Sequence, residues 1–109
     1  MILYLQYAAS KAAAHHLARN LAVELGPRKI TTNVIAPGFF PSKLANGLIE
    51  LLGGEEEMRA RNPRGRLGRP ADVEGAIVYL CSPAAAYVNG VVLPLDGGIH
   101  LTAGAHTKL

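Results

Sequence analysis

The sequence predicts an α/β protein built on a parallel sheet, and three observations carry that prediction. A helix at Tyr7–Leu25 is followed by a tight turn and a strand at Ile30–Ala36. The same order returns after a long loop, with a helix from Pro70 and a strand at Val91–Leu95. Both strands look apolar on both faces, as parallel strands covered by helices do. With two strands in 109 residues, the reading is the second half of an open, doubly wound sheet, incomplete as it stands.

The first helix rests on its alanines (8, 9, 12, 13, 14, 18 and 22), the best helix formers. Leu17, Leu21 and Leu25 recur at i, i+4 and i+8 and predict a buried stripe. The alanine-rich remainder allows another backbone to come close. Gly26-Pro27 ends the helix. The β-branched run Ile30–Ala36 reads as a strand stopped by Pro37-Gly38. Two short helices are expected near Lys43–Leu52 and Glu55–Arg61, separated by Gly53-Gly54. Glu55, Glu56 and Glu57 suit a helix N-terminus. Asn62–Arg66 reads as loop. Pro70 opens the next helix, whose stripe is Val73, Ala76, Ile77 and Leu80, and Ser82-Pro83 closes it. A helical turn is expected at Ala84–Val88. Pro94 cannot donate to a ladder, so the last strand belongs at a sheet edge. The tail, Ile99–Leu109, shows no period.

Composition removes several classes of function. Half the residues are hydrophobic and 17% are charged, which excludes a disordered chain. No apolar run approaches the roughly 20 residues of a membrane helix, so no membrane partner is expected. The net charge is +3, and the one dense basic group is Arg59, Arg61, Arg64, Arg66 and Arg69. It reads either as a solvated loop or as a loop that meets phosphate or carboxylate. No aromatic residue is interleaved with it, which argues against nucleic acid. Cys81 is the single cysteine, so no internal disulfide forms. It is expected to be a small buried hydrophobe. A cytoplasmic location fits, because Met1–Gln6 carries no basic leader. His15 and His16 are adjacent and point to different helix faces, and His100 and His106 are read as unpartnered. No metal is predicted.

Four segments resemble the short-chain dehydrogenase/reductase family. Tyr7-Ala8-Ala9-Ser10-Lys11 matches its Tyr-x-x-x-Lys motif, and Asn33–Gly38 matches its strand end in Pro-Gly. Arg66–Val73 matches the start of its penultimate helix, and Asn89–Gly98 matches its last strand ending in Asp-Gly-Gly. The likeness runs from Tyr7 to about Leu101 and looks nearest to 3-oxoacyl-(acyl carrier protein) reductase-like members.

The resemblance implies a Rossmann-type fold and an NAD(P)-dependent oxidoreductase that interconverts a carbonyl and an alcohol. It implies Tyr7 and Lys11 as catalytic, with Lys11 also bonding the nicotinamide ribose. Their spacing puts them one helical turn apart on one face. A free phenol ionises near pH ~10, and a neighbouring ammonium favours the phenolate. That combination suits proton transfer to a carbonyl oxygen. Pro37, Gly38 and Phe39 are expected along the nicotinamide, with Gly38 allowing close approach of the backbone. Ser42 stands where many relatives carry threonine. Residues 40–62 correspond to the substrate loop. Phe39, Phe40, Leu44, Leu48, Leu51 and Leu52 line an apolar pocket or form the loop's own core, two readings that the sequence weighs equally.

The family's Gly-rich nucleotide-binding half, its catalytic serine and its catalytic asparagine lie upstream of the tyrosine, and no residue here takes those roles. Ser10 lies inside the motif and is not that serine. Residues 1–109 are therefore expected to be a partial domain that lacks the N-terminal half. It is expected neither to bind NADP or NAD nor to turn over substrate by itself. The alternative is a non-catalytic relic or an interaction module. Homo-oligomerisation, or pairing with a complete relative, is the partnership the resemblance implies, with a small carbonyl or alcohol as substrate of the complete enzyme.

Overall fold

The structure is a computed structural model and describes residues 2–102, with side chains from Leu5 onward. Helix α1 spans Ile2–Leu25, strand β1 Val34–Pro37, α2 Lys43–Leu51, α3 Gly54–Arg61, α4 Pro70–Leu80 and strand β2 Val92–Leu95. Three 3₁₀ turns, Gly26–Arg28, Pro83–Ala85 and Ile99–Thr102, join or follow them. β1 and β2 form a two-stranded sheet. Their register is parallel: Gly90 donates to Thr32 O, Val34 donates to Val91 O and Gly38 donates to Leu95 O, each at 2.8 Å. The chain divides into two compact units, Met1–Ile35 with Val78–Leu93, and Ala36–Ile77 with Pro94–Leu109.

In the first unit α1 begins at Ile2, earlier than predicted. Nothing in Ile2–Gln6 breaks a helix, and leucine and glutamine favour one. The predicted leucine stripe is not buried: Leu17 is 58% exposed and Leu21 is also exposed. Ala22 is buried instead, with Gly90 so close that a side-chain carbon there would lie 3.5 Å from its methyl. The alanine surface thus does admit a backbone. β1 is shorter than predicted because two asparagine amides take over the preceding backbone. Thr32 N donates to Asn89 Oδ1 at 2.9 Å, and Val91 N donates to Asn33 Oδ1 at 3.0 Å. In return Asn89 Nδ2 reaches Ala22 O at 2.9 Å, and Asn33 Nδ2 reaches Val88 O at 3.2 Å. Both amides are thus donor and acceptor at once. Cys81 is exposed, not buried: it follows the last residue of α4, a helix with no buried residue to cover it.

The second unit packs around Ile49, Met58 and Leu67, with Phe39 and Ala45 against them. Neither reading of the loop leucines holds. Leu44 is 91% and Leu51 85% exposed, with Leu48 and Leu52 also exposed. The nine-residue α2 turns Ile49 inward rather than its leucines. The basic group is not a plain solvated loop. Arg59 and Arg61 lie on α3 and pair with Glu55 and Glu57 one turn back, at 2.6 and 3.0 Å.

Candidate active site

Tyr7 and Lys11 lie together on α1. Lys11 Nζ stands 5.4 Å from the Tyr7 ring centroid, a cation–π distance. Tyr7 is 61% exposed. Among the described residues, neither the phenol oxygen nor the ammonium has a hydrogen-bond or ion-pair partner. Both remain available to a ligand. Ser10 is different: its hydroxyl donates to Tyr7 O at 2.8 Å, within its own helix.

Pro37, Gly38, Phe39 and Ser42 belong to the second unit and follow one another at the end of β1. Pro37 is exposed. Gly38 has a reason within the chain beside the one the motif implies. A side-chain carbon there would lie 2.5 Å from Asp96 Cβ and 2.9 Å from Asp96 Cα, so glycine is required by the approach of β2 itself. Phe39 packs on the Ile49 core, and its carbonyl accepts the Gly68 N–H at 3.0 Å. Ser42 is the N-cap of α2. Its oxygen accepts from Ala45 N at 3.0 Å, with the backbone extended at φ −157°. That contact leaves the hydroxyl hydrogen of Ser42 available.

The carboxyl end of β2 carries a polar cluster not foreseen from the sequence. Asp96 Oδ1 accepts from Gly98 N at 3.0 Å, and Asp96 Oδ2 meets His100 Nδ1 at 2.7 Å. His100 is therefore partnered, contrary to expectation, and its i+4 spacing from Asp96 is the signal that would have found it. Asn62 Nδ2 donates to Asp96 O at 3.0 Å, and Asn62 Oδ1 accepts from Arg64 N at 2.8 Å. Burial pushes the Asp96 carboxyl up. The Gly98 N–H and the His100 ring outweigh it, so the group lies below its ordinary value. Arg66 clasps Asp72 with two bonds of 2.8 and 2.9 Å, and Asp72 also caps α4 through Arg69 N at 2.8 Å. The Arg66 hydrogen bonds, joined by that from Arg69, hold the Asp72 carboxyl far below the usual carboxylate range. The same pairing raises Arg66.

These groups surround a cavity of about 540 Å³. Its walls include Phe39, Phe40, Leu67 and Leu95, with Arg64 and His100. Gly68 lies under the Phe40 ring, which a side-chain carbon there would displace.

Parallel strands reached through helices, with Tyr-x-x-x-Lys on a long helix, define a Rossmann-type α/β protein. The family model described as enoyl-(acyl carrier protein) reductase matches residues 3–100. The short-chain dehydrogenase/reductase VdtF of Byssochlamys spectabilis is 47% identical over 92 residues, covering 84% of this chain and 30% of VdtF. The rhamnolipids biosynthesis 3-oxoacyl-[acyl-carrier-protein] reductase of Pseudomonas aeruginosa is 44% identical over 95 residues, covering 87% of this chain and 37% of the reductase. The Pseudomonas aeruginosa RhlG/NADP active-site complex superposes with a TM-score of 0.74 at 44% identity, covering 86% of this chain and 38% of that one. The chain belongs to the short-chain dehydrogenase/reductase family. It spans about a third of the length of the curated relatives it matches.

Proposed function

We propose that residues 1–109 are the active-site helix, substrate loop and last two strands of a cytoplasmic NAD(P)-dependent oxidoreductase that interconverts a carbonyl and an alcohol. The observation that carries this reading is the Tyr7–Lys11 pair, a phenol and an ammonium 5.4 Å apart with no protein partner among the described residues. This donor set fits the hydroxyl-bearing side of a nicotinamide nucleotide. In reduction, the Tyr7 hydroxyl delivers its proton to the carbonyl oxygen, and in oxidation Tyr7 takes it back. Lys11 stabilises the phenolate between those events and donates to the nicotinamide ribose. A nicotinamide, when bound, would supply or accept the hydride; Pro37, Gly38 and Phe39 would lie along it, and Ser42 would offer its hydroxyl hydrogen while its oxygen caps α2.

The described residues supply no glycine-rich turn for a pyrophosphate. The 109-residue chain by itself is therefore expected to give no measurable NADPH oxidation. The direct test joins residues 3–100 to the preceding part of the Pseudomonas aeruginosa reductase. The chimera should oxidise NADPH with a 3-oxoacyl substrate, and Tyr7→Phe should lower kcat by about 10²-fold or more. A folded chimera whose Tyr7→Phe variant keeps full activity sinks the reading.

A second reading is favoured by the exposure of Leu17, Val23 and Val78. In it, the chain acts without catalysis by pairing with a complete relative or a second copy. The intact mass of the native product separates the two. A species well above 11.5 kDa supports the enzyme, and one at 11.5 kDa supports the pairing module.

A further inference from the structure

The cavity of the second unit has a polar inventory that selects one sign of charge. Its two carboxylates are committed: Asp72 to Arg66 and Arg69, and Asp96 to Gly98 and His100. Asn62 is committed at both ends, to Asp96 O and Arg64 N. The Arg66 guanidinium is paired with Asp72 through two hydrogen bonds and also donates to Leu67 O at 3.0 Å. The His100 ring is likewise committed, its Nδ1 meeting Asp96 Oδ2 at 2.7 Å. Of the charged groups lining the cavity, Arg64 is the one cation without an ion-pair partner among the described residues. The remaining walls are two phenylalanine rings, Leu67, Leu95 and Pro94.

An apolar, aromatic-walled cavity of about 540 Å³ falls in the ordinary size range of small-molecule sites. With both carboxylates satisfied and one cation unsatisfied, a cationic ligand finds no partner and an anionic one does. We propose that this cavity is a binding site for a small apolar monocarboxylate, its body between Phe39, Phe40 and Leu67 and its carboxylate on Arg64. A planar carboxylate is the natural complement of a guanidinium fork. Tyr7 and Lys11 are not among the walls, so the site stands independently of the oxidoreductase reading.

The test titrates the 109-residue chain at pH 7 with 4-phenylbutyrate and with 4-phenylbutan-1-ol, a neutral compound of nearly the same shape. Amide shifts by NMR report both affinity and place. The acid should bind one to one, move the amides of Gly68 and Gly97, and bind about tenfold more tightly than the alcohol. Arg64→Gln lies at an exposed position and should reduce acid affinity to that of the alcohol, with circular dichroism unchanged. Glu56→Gln, exposed on α3, should leave both affinities as they were. Equal binding of acid and alcohol, an unaltered Arg64→Gln, or shifts confined to residues 5–25 would each overturn the proposal.

Discussion

The two units treat their polar groups in opposite ways. In the first, Tyr7 and Lys11 lie exposed with their reactive atoms unpartnered among the described residues. The uncharged amides of Asn33 and Asn89 meanwhile hold the backbone. In the second, four ion pairs tie charged side chains together: Arg59 with Glu55, Arg61 with Glu57, Arg66 with Asp72 and His100 with Asp96. Groups that do chemistry must keep an open valence for hydrogen bonding, whereas groups that hold a fold are saturated by it.

The contrast can be broken most forcefully at Gly38. Gly38→Ala forces a carbon to within 2.5 Å of Asp96 Cβ and should destabilise the second unit by about 3 kcal/mol, read from urea unfolding. If stability is unchanged, glycine there serves something other than packing. Next in size is Asn33→Ala, which removes two hydrogen bonds of 3.0 and 3.2 Å and should cost about 2 kcal/mol. Hydrogen exchange should quicken at Val91, with the Gly68 amide unaffected. Acid sharpens the contrast further. The folded-state values of Asp72 and Asp96 are both depressed. Their stabilisation is therefore fully present above the unfolded value of about 3.9 and is lost as pH falls below it through the depressed folded values. An Asp72→Asn, Asp96→Asn double variant should be less stable at pH 7 and show a flatter profile below about pH 4. A wild-type acid profile in that variant refutes the pairings. The smallest expected effect is Tyr7→Phe, which should shift stability of the isolated chain by less than about 0.5 kcal/mol. A large loss would mean that the hydroxyl is structural and not held open for a ligand.

Much of this was legible before any coordinates. Helix-former content and the Gly26-Pro27 stop located the end of α1, and Pro70 located the start of α4. Four motifs in order carried the family. What stayed hidden involved side chains whose partners are distant in sequence. Asn89 bonds Ala22 across 67 positions, and no local pattern announces it. Periodicity misjudged Leu17 because it reports a stripe and not whether anything covers it. Ser42 and Gly38 were assigned to a ligand because the motif holds them there, yet the capping bond and the Asp96 approach give each a reason within the chain. The Asp96–His100 pair has a visible four-residue spacing, but a single spacing in a tail without a period does not announce a bond.

Cys81 is the sole cysteine and is exposed beside Lys29 and Tyr87. A maleimide dye therefore attaches at one defined point, giving an optical reporter seated in the first unit. In air the same thiol can bridge two molecules, since disulfide formation requires access and a second sulfur. Samples kept without reductant should accumulate a covalent dimer that runs at twice the monomer mass on a non-reducing gel. Cys81→Ser should abolish it, and any dimer that survives that change is held by surface contacts alone.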